Sequence, residues 1–312
     1  MNKKLFTIII ALLIAVSAAV QAAEYGGSFL ELGAGARALA MGSAQTAVAN
    51  DAYAAYWNPA GLMNIKTMDC NAAYTSYFGL VNSKVINFSH VYEKGILAFG
   101  YASNWVDGIH NTVYTDNRPQ LSGADFGYNS SVMMLSKADL FPKEWNLPGQ
   151  KNAWGINIKF SGEGFSYRPG ASAMSLDAGV QQKLCDQFSW GVAVQNLLKS
   201  NLEWNTPSKN LEQLPTILNL GVAYQLDPQL QWTMDLRFKD SRPFTYHTGA
   251  EYIITNARKN GVSYALRGGL NNGDLAFGLG LNYGGFKLDY AYAGSRDSNL
   301  DATHLISIGF GN

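Results

Sequence analysis

The feature that most constrains this fold is an alternation of large apolar residues with polar or small residues, which recurs from about residue 68 to the end of the chain. In the segment LQWTMDLRFK, Leu230, Trp232, Met234, Leu236 and Phe238 fall on one face of a strand, and polar residues fall on the other. Successive side chains of a strand point to opposite sides, so each such segment has one apolar and one polar face. The pattern predicts an all-β fold of amphipathic strands.

Marking these segments gives about fourteen predicted strands of roughly ten residues, the length that a tilted strand needs to cross a bilayer. The predicted strands are 68–78, 83–93, 95–106, 125–139, 152–163, 172–184, 187–196, 216–226, 229–239, 245–255, 261–270, 274–283, 285–294 and 302–311.

The connections between these strands form a short set and a long set. Tight turns such as 93–95 and 284–285 alternate with long connections such as 106–124 and 197–215. Outer-membrane barrels have short turns on the periplasmic rim and longer loops outside the cell, so this asymmetry predicts such a barrel. The connection 140–151 is an exception, because it is long and lies on the short side.

The apolar face of each strand is predicted to face lipid rather than the inside of the barrel. Barrel diameter grows with strand number, and one layer of side chains cannot fill the lumen of about fourteen strands. The sequence therefore predicts a transmembrane antiparallel β-barrel with a polar lumen, and a β-sandwich outside the cytoplasm is the alternative. The charged residues predicted to line the lumen are Lys159, Asp177, Asp235, Arg237, Arg267, Lys287 and Asp289.

The first residues have the pattern of a secretory signal peptide. Lys3 and Lys4 precede an apolar stretch over 5–16 and a small-residue cleavage pattern over 20–22. The apolar stretch is shorter than the about 20 residues of a membrane-spanning helix, although a retained N-terminal membrane helix is the alternative. We therefore expect export across the inner membrane and a location in a Gram-negative-type outer membrane.

Residues 23–66 lack the strand alternation and are predicted to form a helical hatch. The Ala-rich stretches 36–48 and 52–57 predict two short helices, with Asn50 or Asp51 capping the second. Asn58-Pro59 should end that helix, since a residue before proline is disfavoured in the α region. The segment is too short to form a core alone, so the lumen is its predicted packing site. The predicted organisation is a signal peptide over 1–22, the hatch over 23–66 and the barrel over 67–312.

Arg37 is the one charged residue between Leu32 and Asn50. It either anchors a ligand carboxylate, which its planar guanidinium suits, or forms a salt bridge to the wall through Asp235, Asp289 or Glu251. We favour the salt bridge, and likewise favour hatch packing over ligand binding for the aromatic pair at 56–57. The residues of the hatch with a candidate role in ligand gating are Arg37, Tyr56, Trp57, Asn58 and Pro59.

The composition excludes several function classes. Basic and acidic residues balance at 23 each, so no electrostatic argument favours nucleic acid as a partner. His90, His110, His247 and His304 are scattered, and the chain has neither a nucleophile elbow nor a P-loop. We predict no enzymatic activity, no metal and no cofactor, with a lipid-facing Ser–His pair as the alternative.

The two cysteines, Cys70 and Cys185, are predicted to be free thiols. Both fall on the periplasmic rim of the predicted barrel, but about opposite each other. A disulfide needs α-carbons within about 7 Å, which this separation does not allow.

The run SFLELGAGARALAMGSAQTAVANDAYAAYWNPAGL resembles the N-terminal signature of the PorV/PorQ family of outer-membrane proteins, and its NPAG element resembles the hatch of FadL-type fatty-acid transporters. The residues that carry the resemblance are Phe29, Leu30, Gly33, Gly35, Ala36, Arg37, Ala38, Met41, Gly42, Ala47, Val48, Ala49, Asp51, Ala52, Tyr56, Trp57, Asn58, Pro59, Ala60 and Gly61.

The resemblance implies a fourteen-stranded FadL-like barrel with a hatch in its lumen, and two functions follow from it. The leading one is gated, passive transport of a hydrophobic or amphipathic small molecule, with the hatch moving to open a path. The other is a PorV-like, non-transporting role in type IX protein secretion and surface attachment, with exported proteins as partners. A purely structural barrel with a permanently closed lumen is the third alternative. In each case outer-membrane lipid is an expected partner.

Overall fold

The computed structural model describes residues 26–115, 117–166, 168, 170–198, 200–240, 242–255 and 261–311. The predicted signal peptide, 1–22, lies outside these residues. The strands are β1 (Met68–Tyr77), β2 (Val81–Tyr92), β3 (Gly95–Ile109), β4 (Thr112–Thr115), β5 (Arg118–Leu121), β6 (Phe126–Leu140), β7 (Lys151–Phe165), β8 (Gly170–Lys183), β9 (Phe188–Gln195), β10 (Asn201–Trp204), β11 (Leu211–Gln213), β12 (Ile217–Gln225), β13 (Leu230–Lys239), β14 (Thr245–Thr255), β15 (Val262–Asn271), β16 (Asp274–Tyr283), β17 (Phe286–Ala293) and β18 (Thr303–Gly311).

Fourteen of the strands in the described residues close into one antiparallel barrel, which confirms the predicted fold class. Each barrel strand pairs with the next barrel strand along the chain, and β1 pairs with β18, where Ala72 lies opposite Ile308. The other four strands lie in two of the long connections. Strands β4 and β5 form a separate hairpin, and β10 with β11 extends the sheet beyond β8.

The outward face of the wall is apolar and the inward face is small or polar, as the alternation predicted. On β16, the outward Leu275, Phe277 and Leu279 are 54%, 53% and 58% exposed, whereas the inward Ala276 is fully buried. On β7 the inward Asn157 is fully buried. Lipid can cover the outward set, and the hatch covers the inward set.

The hatch contains two short α-helices, α1 (Ala36–Ala40) and α2 (Ala54–Trp57), and two 3-10 helices, Ser28–Glu31 and Pro59–Asn64. A third 3-10 helix, Lys143–Trp145, lies in the connection between β6 and β7. None of the helices among the described residues is long and apolar enough to span a membrane.

The prediction of a helix over 36–48 is wrong beyond residue 40. Gly42 and Ser43 have φ values of 62° and 68°, a left-handed conformation that ends an α-helix. The helix predicted over 52–57 is present as α2, and its backbone leaves the helical region at Asn58, as the following proline requires. Asp51 accepts a hydrogen bond from the Tyr53 N–H (2.9 Å) and so caps the turn before α2.

The hatch crosses the lumen from one end to the other. At the end with long loops, the Gly26 N–H donates to the Gln213 carbonyl (3.2 Å), and the Tyr77 hydroxyl donates to the Leu32 carbonyl (2.7 Å). At the end with short turns, the Ala52 N–H donates to the Asp69 carboxylate (3.0 Å). Because short turns face the periplasm, Gly26 lies at the extracellular mouth and the hatch tip, residues 46–52, faces the periplasm.

This path predicts which hatch residues are accessible from outside the cell. Ser28 and Asn50 are both exposed, at opposite ends of the lumen. In a chain whose native cysteines are replaced by serine, we expect Ser28→Cys to react with a membrane-impermeant maleimide on intact cells. The matched variant Asn50→Cys should react only after the outer membrane is permeabilised. Equal labelling of the two on intact cells would contradict this orientation.

Candidate functional site

A chain of ion pairs joins the hatch to the barrel wall. The Arg37 guanidinium binds the Glu251 carboxylate through two N–H groups, at 2.9 Å each, and donates to the Asn50 side chain (3.0 Å). Glu251 also accepts from Arg267 (2.7 Å), which in turn donates to Asp289 (2.6 Å). Of the three acidic partners that the sequence allowed for Arg37, the structure selects Glu251 on β14.

The remaining charged residues predicted for the lumen also point inward, and most of them are paired. Lys159 and Asp177 form a buried ion pair (2.7 Å) on neighbouring strands. Lys287 binds Asp69 (2.7 Å), and Arg237 donates to the Asn219 side chain (2.9 Å). Because these charges are paired, few free charged groups remain to line a polar channel.

Carboxylates of the wall also bind the backbone of the hatch directly. Asp235 on β13 accepts hydrogen bonds from the Gln45 and Thr46 N–H groups, both at 2.9 Å, and from the Thr46 hydroxyl at 2.7 Å. Ser307 on β18 accepts from the Ala36 N–H (3.2 Å). The non-helical turn at 45–46 and the N-terminus of α1 would leave these donors unpaired, and the wall supplies their acceptors.

Asn58 connects two segments of the hatch to the wall. Its side-chain amide donates to the Thr46 carbonyl (2.8 Å) and to the Val180 carbonyl of β8 (3.1 Å), and its oxygen accepts from the Ala60 N–H (3.2 Å). The residue is fully buried, and all its hydrogen-bonding groups are used. The interpretation of Asn58 as a group that satisfies freed backbone atoms therefore fits its contacts, although one of those atoms belongs to the wall.

The side chains of Tyr56 and Trp57 form hydrogen bonds with other residues of the hatch. The Tyr56 hydroxyl donates to the Leu30 carbonyl (2.6 Å) and accepts from the Gly33 N–H (2.9 Å). The Trp57 indole donates to the Ala34 carbonyl (2.9 Å). These bonds hold α2 against the chain at 30–34, so the aromatic pair stabilises the hatch as one compact unit. Pro59 follows and lies against Gly155 of β7.

Glycines on the inward face of the wall let the hatch backbone touch the strands. A Cβ added at Gly249 would lie 2.5 Å from the Met41 carbonyl oxygen, and one added at Gly269 would lie 2.5 Å from the Met41 carbonyl carbon. These distances are shorter than real Cβ contacts, so only glycine fits. Several of these glycines are cross-strand neighbours, such as Gly249 opposite Gly269. We call this set the glycine belt; it comprises Gly155, Gly179, Gly191, Gly221, Gly249, Gly269 and Gly278.

Two polar pockets flank the hatch tip at the periplasmic mouth, and Asn50 borders both. One, of about 200 Å³, is lined by Asp51, Lys287 and Asp289 among others. The other, of about 290 Å³, is lined by Lys151, Gln181 and further polar side chains. Among the described residues no group of His, Cys, Asp and Glu is placed to hold a metal ion. Cys70 and Cys185 are both free thiols.

Sequence reasoning missed the wall residues that hold the hatch. Asp69 and Ser307 lie at opposite ends of the barrel sequence, yet β1 and β18 are neighbours in the closed wall. His247 is a third example, since its imidazole Nδ1 lies 3.0 Å from the Gly42 carbonyl oxygen. The recurrence of glycine at inward positions of successive strands was the one visible signal, because only a close backbone approach requires it there.

The comparisons with known proteins agree with this architecture. A family model described as "Type IX secretion system membrane protein PorP/SprF" matches residues 154–310, half of the chain. This is a different family from the PorV/PorQ family that the hatch motif resembles, and the match begins after that motif. No protein of curated function matches the sequence.

Solved structures of low sequence identity share the fold. The chain is similar to "CymD monoaromatic hydrocarbon channel" (TM-score 0.58, 10% identity, covering 90% of this chain and 98% of that chain). It is also similar to the Ralstonia pickettii toluene transporter TbuX (TM-score 0.57, 14% identity, 89% and 98%) and to a Pseudomonas aeruginosa FadL homologue (TM-score 0.52, 10% identity, 92% and 99%). At these identities the likeness shows the fold alone.

The glycine belt gives a direct test of hatch packing. Gly269→Ala should lower the free energy of unfolding by about 1–3 kcal/mol, because the new methyl group overpacks the contact with the hatch backbone. The neighbouring Gly268→Ala is the matched control, since the nearest atom to its Cβ would be 3.8 Å away, on the Phe277 ring. Urea unfolding followed by tryptophan fluorescence measures both. Equal stability of the two variants would contradict the contact.

Asp51 gives a pH-dependent prediction. Burial and the nearby Asp69 raise the pKa of Asp51 to about 6, while Arg37 and Lys287 act in the opposite direction. A carboxyl group whose pKa is raised by folding destabilises the fold when it is ionised, and this cost disappears as the pH falls through 6 towards 4. We expect Asp51→Asn to stabilise the protein by about 1–2 kcal/mol at pH 7 and to have no effect at pH 4. A pH-independent effect in urea unfolding would refute the assignment.

Proposed function

The chain belongs to the PorP/SprF family of type IX secretion system membrane proteins, and from this premise we propose that it is a non-transporting component of type IX secretion. In this proposal the barrel is a sealed scaffold in the outer membrane. Its extracellular loops bind exported proteins, and its periplasmic mouth faces the rest of the secretion apparatus. Surface attachment of the exported proteins, which the hatch motif implies, is part of the same proposal.

The observation that carries this proposal is the attachment of the hatch to the glycine belt. A hatch that gates a channel must be able to leave its contacts with the barrel wall at a low free-energy cost. Here backbone atoms of the hatch lie directly against glycines of four wall strands, β7, β9, β14 and β15. Moving it would also break the Arg37–Glu251 pair and the three hydrogen bonds to Asp235. These contacts favour a permanent seal.

The gated uptake of a hydrophobic molecule, which the FadL-type resemblance implies, has weaker support. Such a route needs an apolar path through the lumen. The inward face instead carries paired charges, such as the buried pair Lys159–Asp177 and the half-buried pair Arg267–Asp289. The hydrocarbon channels of similar fold are 10–14% identical to this chain, so their substrates do not transfer to it.

The long extracellular connections offer the surface for exported proteins. The β4–β5 hairpin stands apart from the barrel sheet, and its Tyr114 and Leu121 are 79% and 74% exposed. Aromatic and aliphatic side chains that stand in water, outside the lipid-covered wall, are typical of protein interaction sites.

Removing the β4–β5 hairpin distinguishes between the two proposed functions, a docking scaffold and a channel. Replacement of 112–121 by a short Gly-Ser turn should abolish secretion of type IX cargo in a complemented deletion strain, because the docking surface is lost. Shortening the extracellular loop 295–301 is the matched control and should leave secretion intact. Barrel assembly is checked for both by heat-dependent migration in gels. Normal secretion by the hairpin variant, with altered entry of a hydrophobic solute, would favour the channel.

A further inference from the structure

The outward face of β2, β3, β6 and β7 carries an apolar groove near its periplasmic end. The groove has a volume of about 560 Å³, and the side chains along it include Phe88, Leu97, Leu135, Ile156 and Ile158. His90, Tyr92 and Lys137 also line it and supply its polar groups. The groove opens to the lipid, because it lies on the outward side of the wall.

The polar side chains of the groove lie at the level of the lipid headgroups of the periplasmic leaflet. Tyr92 is the last residue of β2, and Lys137 is three residues before the end of β6 at Leu140. Both strands end at connections on the periplasmic rim. A membrane strand rises about 3.3 Å per residue and is tilted, so Lys137 lies less than about 10 Å from that rim.

Cations are rare at the outward positions of the described barrel strands, where the two are Lys137 and Lys84. Lys137 lies at the periplasmic boundary and Lys84 at the extracellular one. The Lys84 ammonium is partnered by the Trp105 ring, at 4.9 Å. The cross-strand neighbours of Lys137 are the apolar Leu97 and Ile156.

A cation among apolar side chains at a membrane boundary needs an anionic partner or contact with water. Asp139 lies two residues along the same face but forms no ion pair with Lys137 among the described residues; its carboxylate accepts from the Leu140 N–H (2.7 Å). The phosphate of a lipid headgroup is an anion present at this depth. It complements the Lys137 charge at the end of a groove that fits an acyl chain.

We propose that this groove binds one phospholipid of the periplasmic leaflet. Its phosphate would contact Lys137, and an acyl chain would lie in the groove on the outward face of β2, β3, β6 and β7. His90 and Tyr92 can donate further hydrogen bonds to the headgroup. The inference is independent of the proposed role in secretion, because it rests on the outward face of the wall. An apolar helix or the lipid anchor of a partner protein would be a different occupant, and the experiment below distinguishes them.

Native mass spectrometry of the full chain, purified in mild detergent and titrated with phosphatidylglycerol, tests the site. We expect one tightly retained lipid on the unaltered chain and about tenfold weaker retention on Lys137→Gln, since a charge-assisted contact is lost. Lys137→Arg should retain the lipid. Lys84→Gln is the matched control and should bind as the unaltered chain does. Heat-dependent migration in gels shows that each variant is folded.

Three results would overturn the proposal. Retention could be the same in Lys137→Gln as in the unaltered chain, which would indicate that Lys137 only extends its charge to the interface. Lys84→Gln could reduce retention as much, which would indicate unspecific annular lipid. A polypeptide or lipoprotein could co-purify in place of the lipid and be released by Lys137→Gln, which would assign the groove to a protein partner.

Discussion

The structure depends on one constraint, the direct contact of the hatch backbone with the backbone of the barrel wall. A barrel of fourteen strands has a lumen too wide for its own inward side chains to fill. The inward glycines remove side chains where Met41 and Thr46 approach, so a segment of about 40 residues can close the lumen.

Where the hatch backbone lies against the wall, its polar groups are shielded from water and need hydrogen-bond partners. Polar side chains of the wall provide these partners. Hatch turns that are neither helix nor strand leave N–H groups free, and Asp69 and Asp235 accept their hydrogen bonds. Ser307 accepts from the first N–H of α1, which has no partner within the helix. Most of the charges that remain are paired, as Arg37 is with Glu251. Polar residues on the inward face of an outer-membrane barrel can line an aqueous channel or bind a segment that fills the lumen. Here their partners are the hatch and one another.

The fold was largely predictable from the sequence, because strand alternation is a local property. The strands predicted at 245–255 and 274–283 match β14 and β16, and the other barrel strands differ at their ends by one to three residues. The helix over 36–48 was overestimated, since Gly42 must adopt a left-handed conformation where wall carbonyls approach it. The choice of Glu251 for Arg37, and the roles of Asp69 and Ser307, depend on which strands become neighbours when the barrel closes. One sequence read by local pattern does not contain that information.

The most direct test of a permanently sealed barrel is single-channel recording in planar lipid bilayers. The intact protein should show no unit conductance over the usual voltage range, whereas a variant lacking residues 26–66 should show stable open steps if its barrel assembles. That result would support a sealed scaffold that binds its partners through its extracellular loops and its periplasmic mouth. Discrete openings of the intact protein, comparable in size to those of the hatchless variant, would show that the hatch moves and would contradict this account.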